Sequence, residues 1–234
     1  MKTSGIGILG IGCHLPTEVR TNAYWPPELV SSWRDRKRSE NPFRERDSDD
    51  VAGSRAVQLA LEGMALVKDD PFHGVKERRV MPPSMRPSGM EVAAARDAIE
   101  RSGIDPGEIG LLLSASQGTD TLLTSNAPII HRELQLRRDC LSTGIDGACN
   151  SFGLQLTIAQ AMIRSGAIKY ALLVQSSNVT SLMRREEPFS PLFGDAATAL
   201  VVGPCREGAG IVSTYHETYG GLYEGLNYGN ANGP

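Results

Sequence analysis

The segment Gly144-Ile-Asp-Gly-Ala-Cys149-Asn-Ser-Phe-Gly153 sets one thiol between two runs of different character. Ahead of it, Cys140-Leu-Ser-Thr-Gly-Ile145 reads as the entry to a strand. After it, Phe152-Gly-Leu-Gln-Leu-Thr-Ile-Ala-Gln-Ala-Met-Ile163 reads as a helix, with no proline and one early glycine. A thiol at a strand-to-helix turn sits beside amides that lack intrahelical partners and at the positive end of the helix dipole. Both favour the nucleophilic thiolate. Gly147 and Ala148 are small enough to let a carbonyl carbon approach. A cysteine nucleophile suits thioester chemistry: the thiolate attacks, another thiol leaves, and an acyl-enzyme results. The same segment also fits a buried structural cysteine, because free cysteine is among the residues most often buried.

The other reactive residues form no pattern in the sequence. Cys13, Cys140, Cys149 and Cys205 lie far apart with no C-x-x-C pair, which does not read as a disulfide scaffold in a chain of 234 residues. His14, His73, His131 and His216 stand alone, so no metal site is expected. Gly5, Gly7 and Gly10 fit G-x-G-x-x-G, but they lie inside an apolar run, and His14-Leu-Pro16 breaks the chain soon after. A dinucleotide site needs a strand before these glycines and a helix after them. Small residues in a crowded central strand explain them better. No G-x-S-x-G elbow of an α/β hydrolase is present.

A net charge of −3, with 40% hydrophobic and 22% charged residues, argues against nucleic-acid binding through bulk charge. No apolar run reaches membrane-spanning length, and the N-terminus lacks a signal-peptide pattern, so a cytoplasmic protein without membrane contact is expected.

The elements that must position Cys149 alternate between strand and helix. Residues 5–12 read as a buried strand, residues 34–50 as a charged loop, and Val51 to Ala65 as an amphipathic helix led in by Asp49 and Asp50. Ser88-Gly-Met-Glu91 has the spacing of a capping box opening a helix through Arg101, with Gly103 as C-cap and Pro106 beyond. Ile109 to Ala115 reads as a strand, Ser125 to Leu136 as a helix, and Ala196–Val202 and Ile211–Tyr215 as later strands. Such alternation predicts an α/β fold with a largely parallel sheet. The helix after Cys149 is apolar nearly all round and is therefore expected to be enclosed.

Asp146-Gly-Ala-Cys149, Ser165-Gly-Ala-Ile-Lys-Tyr-Ala-Leu-Leu-Val174 and Leu192-Phe-Gly-Asp-Ala-Ala-Thr-Ala199 together resemble the β-ketoacyl-[acyl-carrier-protein] synthase III family of the thiolase superfamily. Gly10-Ile-Gly-Cys-His-Leu-Pro-Thr-Glu-Val-Arg-Thr-Asn22 and Gly74-Val-Lys-Glu-Arg-Arg79 match in family order, with an apparent insertion near 35–70. The resemblance implies a thiolase-like layered α/β/α/β/α fold, incomplete in this chain: residues 1–203 as the first half, residues 204–234 as the start of the second. It implies that Cys149 carries an acyl group, which a decarboxylating malonyl-carrier-protein unit attacks. A few relatives instead move the acyl group to an alcohol, amine or carrier thiol, and a non-catalytic half-subunit of a split enzyme is a third reading. The family's second step uses a His and an Asn well beyond the Phe-Gly-Asp motif, and His216 stands where relatives carry a non-catalytic histidine. By the same resemblance Trp33 lies at a coenzyme A channel mouth, and Arg184 or Arg185 could neutralise a phosphate there, although a solvated arginine pair is the plainer reading. Thr124, with Leu123, falls in a segment that caps the acyl pocket of a dimer partner. Gly194 and Asp195 read as structural. The expected partners are an acyl carrier protein, a coenzyme A thioester as substrate, a second copy in a homodimer, and a C-terminal companion segment or chain. No cofactor is expected.

Overall fold

The computed structural model describes residues 5–39, 55–67 and 69–220. Its centre is a five-stranded sheet in the order β1-β7-β6-β4-β5. The strands are β1 (Gly5–His14), β4 (Ile109–Gln117), β5 (Leu141–Gly144), β6 (Tyr170–Ser177) and β7 (Ala196–Cys205). Strands β4, β5 and β6 run parallel, while β7 pairs antiparallel with both β6 and β1. A separate ribbon joins β2 (Glu18–Thr21) to β3 (Glu77–Val80).

Alternation along the strands divides the core into two layers. Leu112, Leu172, Val174, Ala197, Ala199 and Val201 meet α3 (Pro87–Ser102) and α4 (Ala127–Glu133) on one face. Leu111, Leu113, Ala171, Leu173 and Val202 meet α5 (Ser151–Arg164) on the other. The described residues thus form one sheet between two helical layers.

On the α3 face the packing is close. A Cβ at Gly12 would stand 2.0 Å from the Ala94 carbonyl oxygen and 2.3 Å from the Ala98 nitrogen. Gly10 and Gly12 therefore serve helix–strand contact, whereas Gly5 and Gly7 lie against Cys205 and the 209–210 backbone. The crowding is as expected, although β1 is an edge strand of this sheet and not a central one. Gly103 ends α3 in the left-handed conformation, with φ 67°.

Four expectations change. The 34–50 segment is not all loop, because α1 (Pro27–Ser39) continues through its first residues. Arg and Lys are good helix formers, and charge alone does not stop a helix. The remainder of that loop, and the acidic lead-in to the following helix at Asp49 and Asp50, lie outside the described residues; the helix itself is α2 (Arg55–Leu66). Ser88 and Glu91 form no capping box: Arg86 is the N-cap without a side-chain cap bond, and both residues are buried in other networks. Residues Ile211 to Tyr215 are not a strand. Ile211 N–H donates to the Ile6 carbonyl at 2.8 Å, and the chain then leaves the sheet with Val212 and Tyr215 exposed. The fourth change concerns α5. Ser151, Gln155, Ala159, Gln160 and Ile163 are buried, but Leu156, Ile158 and Met162 are only partly so and Phe152 is 37% exposed. One apolar face of this helix is not covered by the described residues.

Candidate active site

β5 ends at Gly144, and the chain turns sharply into α5 through a short 3-10 segment, Ala148–Asn150. Glycine at 144 suits the close passage of the 118–126 loop, since a Cβ there would lie 2.5 Å from the Ser125 Cβ. The turn is held by its own polar groups. Asp146 Oδ1 accepts from the Ala148 N–H at 2.7 Å, and Ser151 Oγ accepts from the Gly147 N–H at 2.9 Å while donating to the Ala148 carbonyl at 2.7 Å. Ala148 takes φ 50°, a conformation unfavourable to a residue with a Cβ by about 1–2 kcal/mol. The strain sits immediately before Cys149.

Cys149 is exposed and opens onto a cleft of about 280 Å³. Ala115, Ser116 and Gln117 from the end of β4, Gln175, Ser176 and Ser177 from the end of β6, and Ala196 and Thr198 of β7 line it opposite the turn residues. Sites at the carboxyl ends of parallel strands are usual in α/β sheets, where the strand ends and the helix N-termini converge. A polar ladder stiffens one wall: Thr198 Oγ1 donates to Gln175 Oε1 at 3.3 Å, Gln175 Nε2 donates to Gln155 Oε1, and Gln155 Nε2 donates to the Val174 carbonyl at 3.4 Å. Gln155 is fully buried.

The cysteines differ in setting. Cys140 is buried, and burial, reinforced by the neighbouring Asp139 charge, pushes its thiol up to about 11. Of the two, only Cys149 opens onto the cleft.

The remaining sequence candidates fall elsewhere. Trp33 is buried, donates from Nε1 to the Glu186 carbonyl at 2.8 Å and packs edge-on against Phe72. Arg184 is exposed and pairs with Glu187 at 2.8 Å. The structure thus brings Trp33 and the 184–187 segment together, but places neither among the residues lining the cleft. Beside them Arg20 and Arg185 lie over the Tyr24 ring, at 4.2 and 4.4 Å. Thr124 is exposed in the 118–126 loop, its hydroxyl 2.7 Å from that of Thr121. His216 meets Thr157 of α5 at 2.9 Å, two turns along the helix from Cys149. Among the described residues, no group of three or more His, Cys, Asp or Glu side chains could hold a metal ion. No described helix is long and apolar enough to cross a membrane.

Asp195 has the structural role expected of it. It is buried, accepts from the Met81 and Thr180 N–H groups and from the Thr180 hydroxyl, and so ties β3 and the 178–181 turn to β7. Two participants were not foreseen. Gln155 lies unremarked within the apolar run, and the spacing of Glu91 from Ser88 points to a cap. A charged residue on the small, apolar face formed by Met90, Ala94, Ala95 and Ala98 was the available clue to Glu91.

Residues 144–220 match the family model for 3-oxoacyl-[acyl-carrier-protein (ACP)] synthase III. A β-ketoacyl-[acyl-carrier-protein] synthase III of Pectobacterium atrosepticum is 28% identical over 212 residues, covering 89% of this chain and 55% of the relative. The corresponding protein of Sodalis glossinidius is 34% identical over 143 residues, covering 61% and 44%. Among solved structures, the priming β-ketosynthase of the R1128 polyketide pathway superposes with TM-score 0.62 at 25% identity, over 87% of this chain and 51% of that one. Xanthomonas campestris OleA superposes with TM-score 0.64 at 22% identity, over 86% and 56%, and supports the fold alone. The chain spans about half the length of the curated relatives it matches. In sequence and in fold, the chain resembles the β-ketoacyl-[acyl-carrier-protein] synthase III family, with a thiolase-like architecture.

Proposed function

We propose that this chain carries the acylation centre of a condensing enzyme of fatty-acid or polyketide biosynthesis, with Cys149 as the acyl carrier. The observation behind this reading is the exposed thiol at the mouth of a cleft, on the turn that opens α5. The Cys149 thiolate would attack the carbonyl carbon of an acyl-coenzyme A or acyl-carrier-protein thioester. The tetrahedral intermediate would then collapse, forming the enzyme thioester and releasing the donor thiol, which takes up a proton. Amides of a helix first turn are suited to stabilise the oxyanion of that intermediate. The acyl chain would lie along the strand ends Ala115–Gln117 and Gln175–Ser177, and no cofactor is needed for this half-reaction.

The second half, decarboxylation of a malonyl thioester and carbon–carbon bond formation, needs donors facing the enolate oxygen. Among the described residues lining the cleft there is neither a histidine nor an asparagine. We assign those donors to a companion segment or chain that also covers the exposed apolar face of α5. Pairing of two copies, with Thr124 near the interface, belongs to the same reading.

The test is intact-mass analysis after incubation of the chain with acyl-coenzyme A substrates of increasing length. A single acyl adduct is expected, mapped to the Cys149 peptide and absent in Cys149→Ala. An adduct that survives in Cys149→Ala overturns the assignment. Malonyl-thioester decarboxylation by residues 1–234 alone is expected at background, and turnover well above background would remove the need for a companion.

A further inference from the structure

Glu91 is fully buried on α3, yet it reaches the cleft from behind. Its Oε1 accepts from the hydroxyls of both Ser116 and Ser176, the latter at 2.6 Å. These two serines are direct register partners at the ends of the parallel strands β4 and β6, and both line the cleft in front of Cys149. Ser116 Oγ also accepts from Asn126 Nδ2 at 3.4 Å, and Asn126 Oδ1 accepts from the Asp120 N–H at 3.0 Å. Asp120 in turn accepts from the N–H and hydroxyl of Ser88 in the first turn of α3. One carboxyl therefore sits at the hub of bonds joining two strand ends, a loop and a helix. Resting on the reading of Cys149 as the acyl carrier, we propose that Glu91 is a positioning residue of the cleft, locking the ends of β4 and β6 together and tying them to the 118–126 loop.

Burial and hydrogen bonding account for both the strength and the state of this clamp. Two parallel strands are free to splay where their ladder ends, and a group bonded to both ends opposes that motion. Beside a fully buried carboxyl the bonds are electrostatically stronger than at the surface, and breaking them leaves buried polar atoms unpaired. Burial raises the Glu91 pKa, with a smaller push from the Asp120 charge, against the bonds from Ser116, Ser176 and Asn126. The packed strands β4, β6 and β7 carry no Asp, Glu, Lys or Arg; β1 contributes only Cys13 and His14 as titratable groups, and α4 contributes His131, Arg132 and Glu133. A neutral carboxyl makes the same bonds through Oε1 without the penalty of a buried charge. This separates Glu91 from a simple packing residue: glutamine should replace it, and methionine, of similar shape but without the acceptor, should not.

The experiment measures amide hydrogen exchange and the rate of Cys149 alkylation by iodoacetamide, the latter relative to free glutathione, in the full chain. In Glu91→Met, exchange at residues 114–126 and 174–178 is expected to accelerate at least tenfold while residues 197–202 of β7 stay at the parent rate, and alkylation is expected to change at least threefold. Glu91→Gln is expected to keep both readouts within twofold of the parent. The double variant Ser116→Ala/Ser176→Ala should reproduce Glu91→Met with the carboxyl retained, and it decides the matter if Glu91→Met does not fold. Parent-like exchange in the serine pair, or a Glu91→Gln as perturbed as Glu91→Met, overturns the proposal. A parent that alkylates at Cys149 but accepts no acyl group would remove the functional reading and leave this test of Glu91 standing.

Discussion

The two helices that flank the sheet invert what their compositions suggest. α5 is apolar nearly all round, yet two of its five buried residues are glutamines and its Leu156, Ile158 and Met162 remain half-buried. α3 carries Arg96, Asp97, Glu100 and Arg101, yet it buries nine residues, with Met90, Ala94, Ala95 and Ala98 completely enclosed. The α3 face is a finished core, closed by small residues that let helix and strand approach. The α5 face is finished only along the stripe that touches the sheet. Its Cys149 end opens to solvent, and its outer face is only partly covered by the described residues. The rigid side therefore holds the reactive side in place, and Glu91 is where the two meet.

The largest expected effect probes this contrast with one kind of substitution. Gly12→Ala would drive a Cβ into the backbone of α3, with 2.0 Å to the Ala94 oxygen, and neither backbone can move without displacing the other. A loss of about 3 kcal/mol in chemical denaturation is expected, the upper range for overpacking. Gly153→Ala on α5 meets only the Asn150 side-chain oxygen at 2.6 Å, and that group can rotate away. With the helix propensity of alanine added, its effect should lie between neutral and about 1 kcal/mol stabilising. Equal losses at the two glycines would break the contrast.

The two cysteines sharpen it next. At pH 8 a thiol with its pKa at about 11 is ionised to roughly one part in a thousand, and Cys140 is also shielded from reagents. Cys149 should therefore be alkylated at least a hundredfold faster than Cys140 in the folded chain, with the difference abolished in denaturant. The Cys140 rate should keep rising with pH towards about 11. Comparable rates at pH 8 would place Cys149 in an environment as closed as that of Cys140.

Glu91 gives a pH signature of smaller size. Its folded pKa lies above the unfolded carboxyl value, so the folded state binds the proton more tightly. The stabilisation linked to this group is complete below the unfolded value of about 4.3 and is lost as pH rises through the folded pKa. In Glu91→Gln the dependence of unfolding free energy on pH above about 4.3 should be flatter than in the parent. An unchanged slope would mean that Glu91 titrates normally.

Much of this arrangement was legible before the structure. The turn at Cys149, the strands expected at 109–115 and 196–202 and observed over Ile109–Gln117 and Ala196–Cys205, and the helix capped by Gly103 all follow from local periodicity and glycine placement. What local pattern missed was set by tertiary partners. Ser88 and Glu91 have capping-box spacing, but Asp120 captures Ser88, and the two strand-end serines capture Glu91. Residues 211–215 have strand-like composition, yet only Ile211 finds an acceptor on β1. Sequence periodicity could mark α5 as apolar throughout but could not say which face the sheet would take.

The smallest effect concerns the residue just before Cys149. Ala148 holds φ 50° because Asp146 takes its N–H and Ser151 takes its carbonyl, so the turn is determined from both sides. Glycine adopts this conformation without the steric penalty of a Cβ, so Ala148→Gly should relieve strain in the folded state. Glycine also enlarges the unfolded ensemble, which offsets part of the gain. The net change should be a stabilisation of no more than about 1 kcal/mol, read as a shift of the denaturation midpoint at constant slope. Acyl-adduct formation at Cys149 should slow in the same variant, because a turn free to sample other conformations no longer presents the thiol in one place. A variant that is more stable and equally fast would show that the bonds of Asp146 and Ser151 hold the cysteine without help from the side chain at 148. A variant that is less stable would show that the left-handed turn is not strained at all.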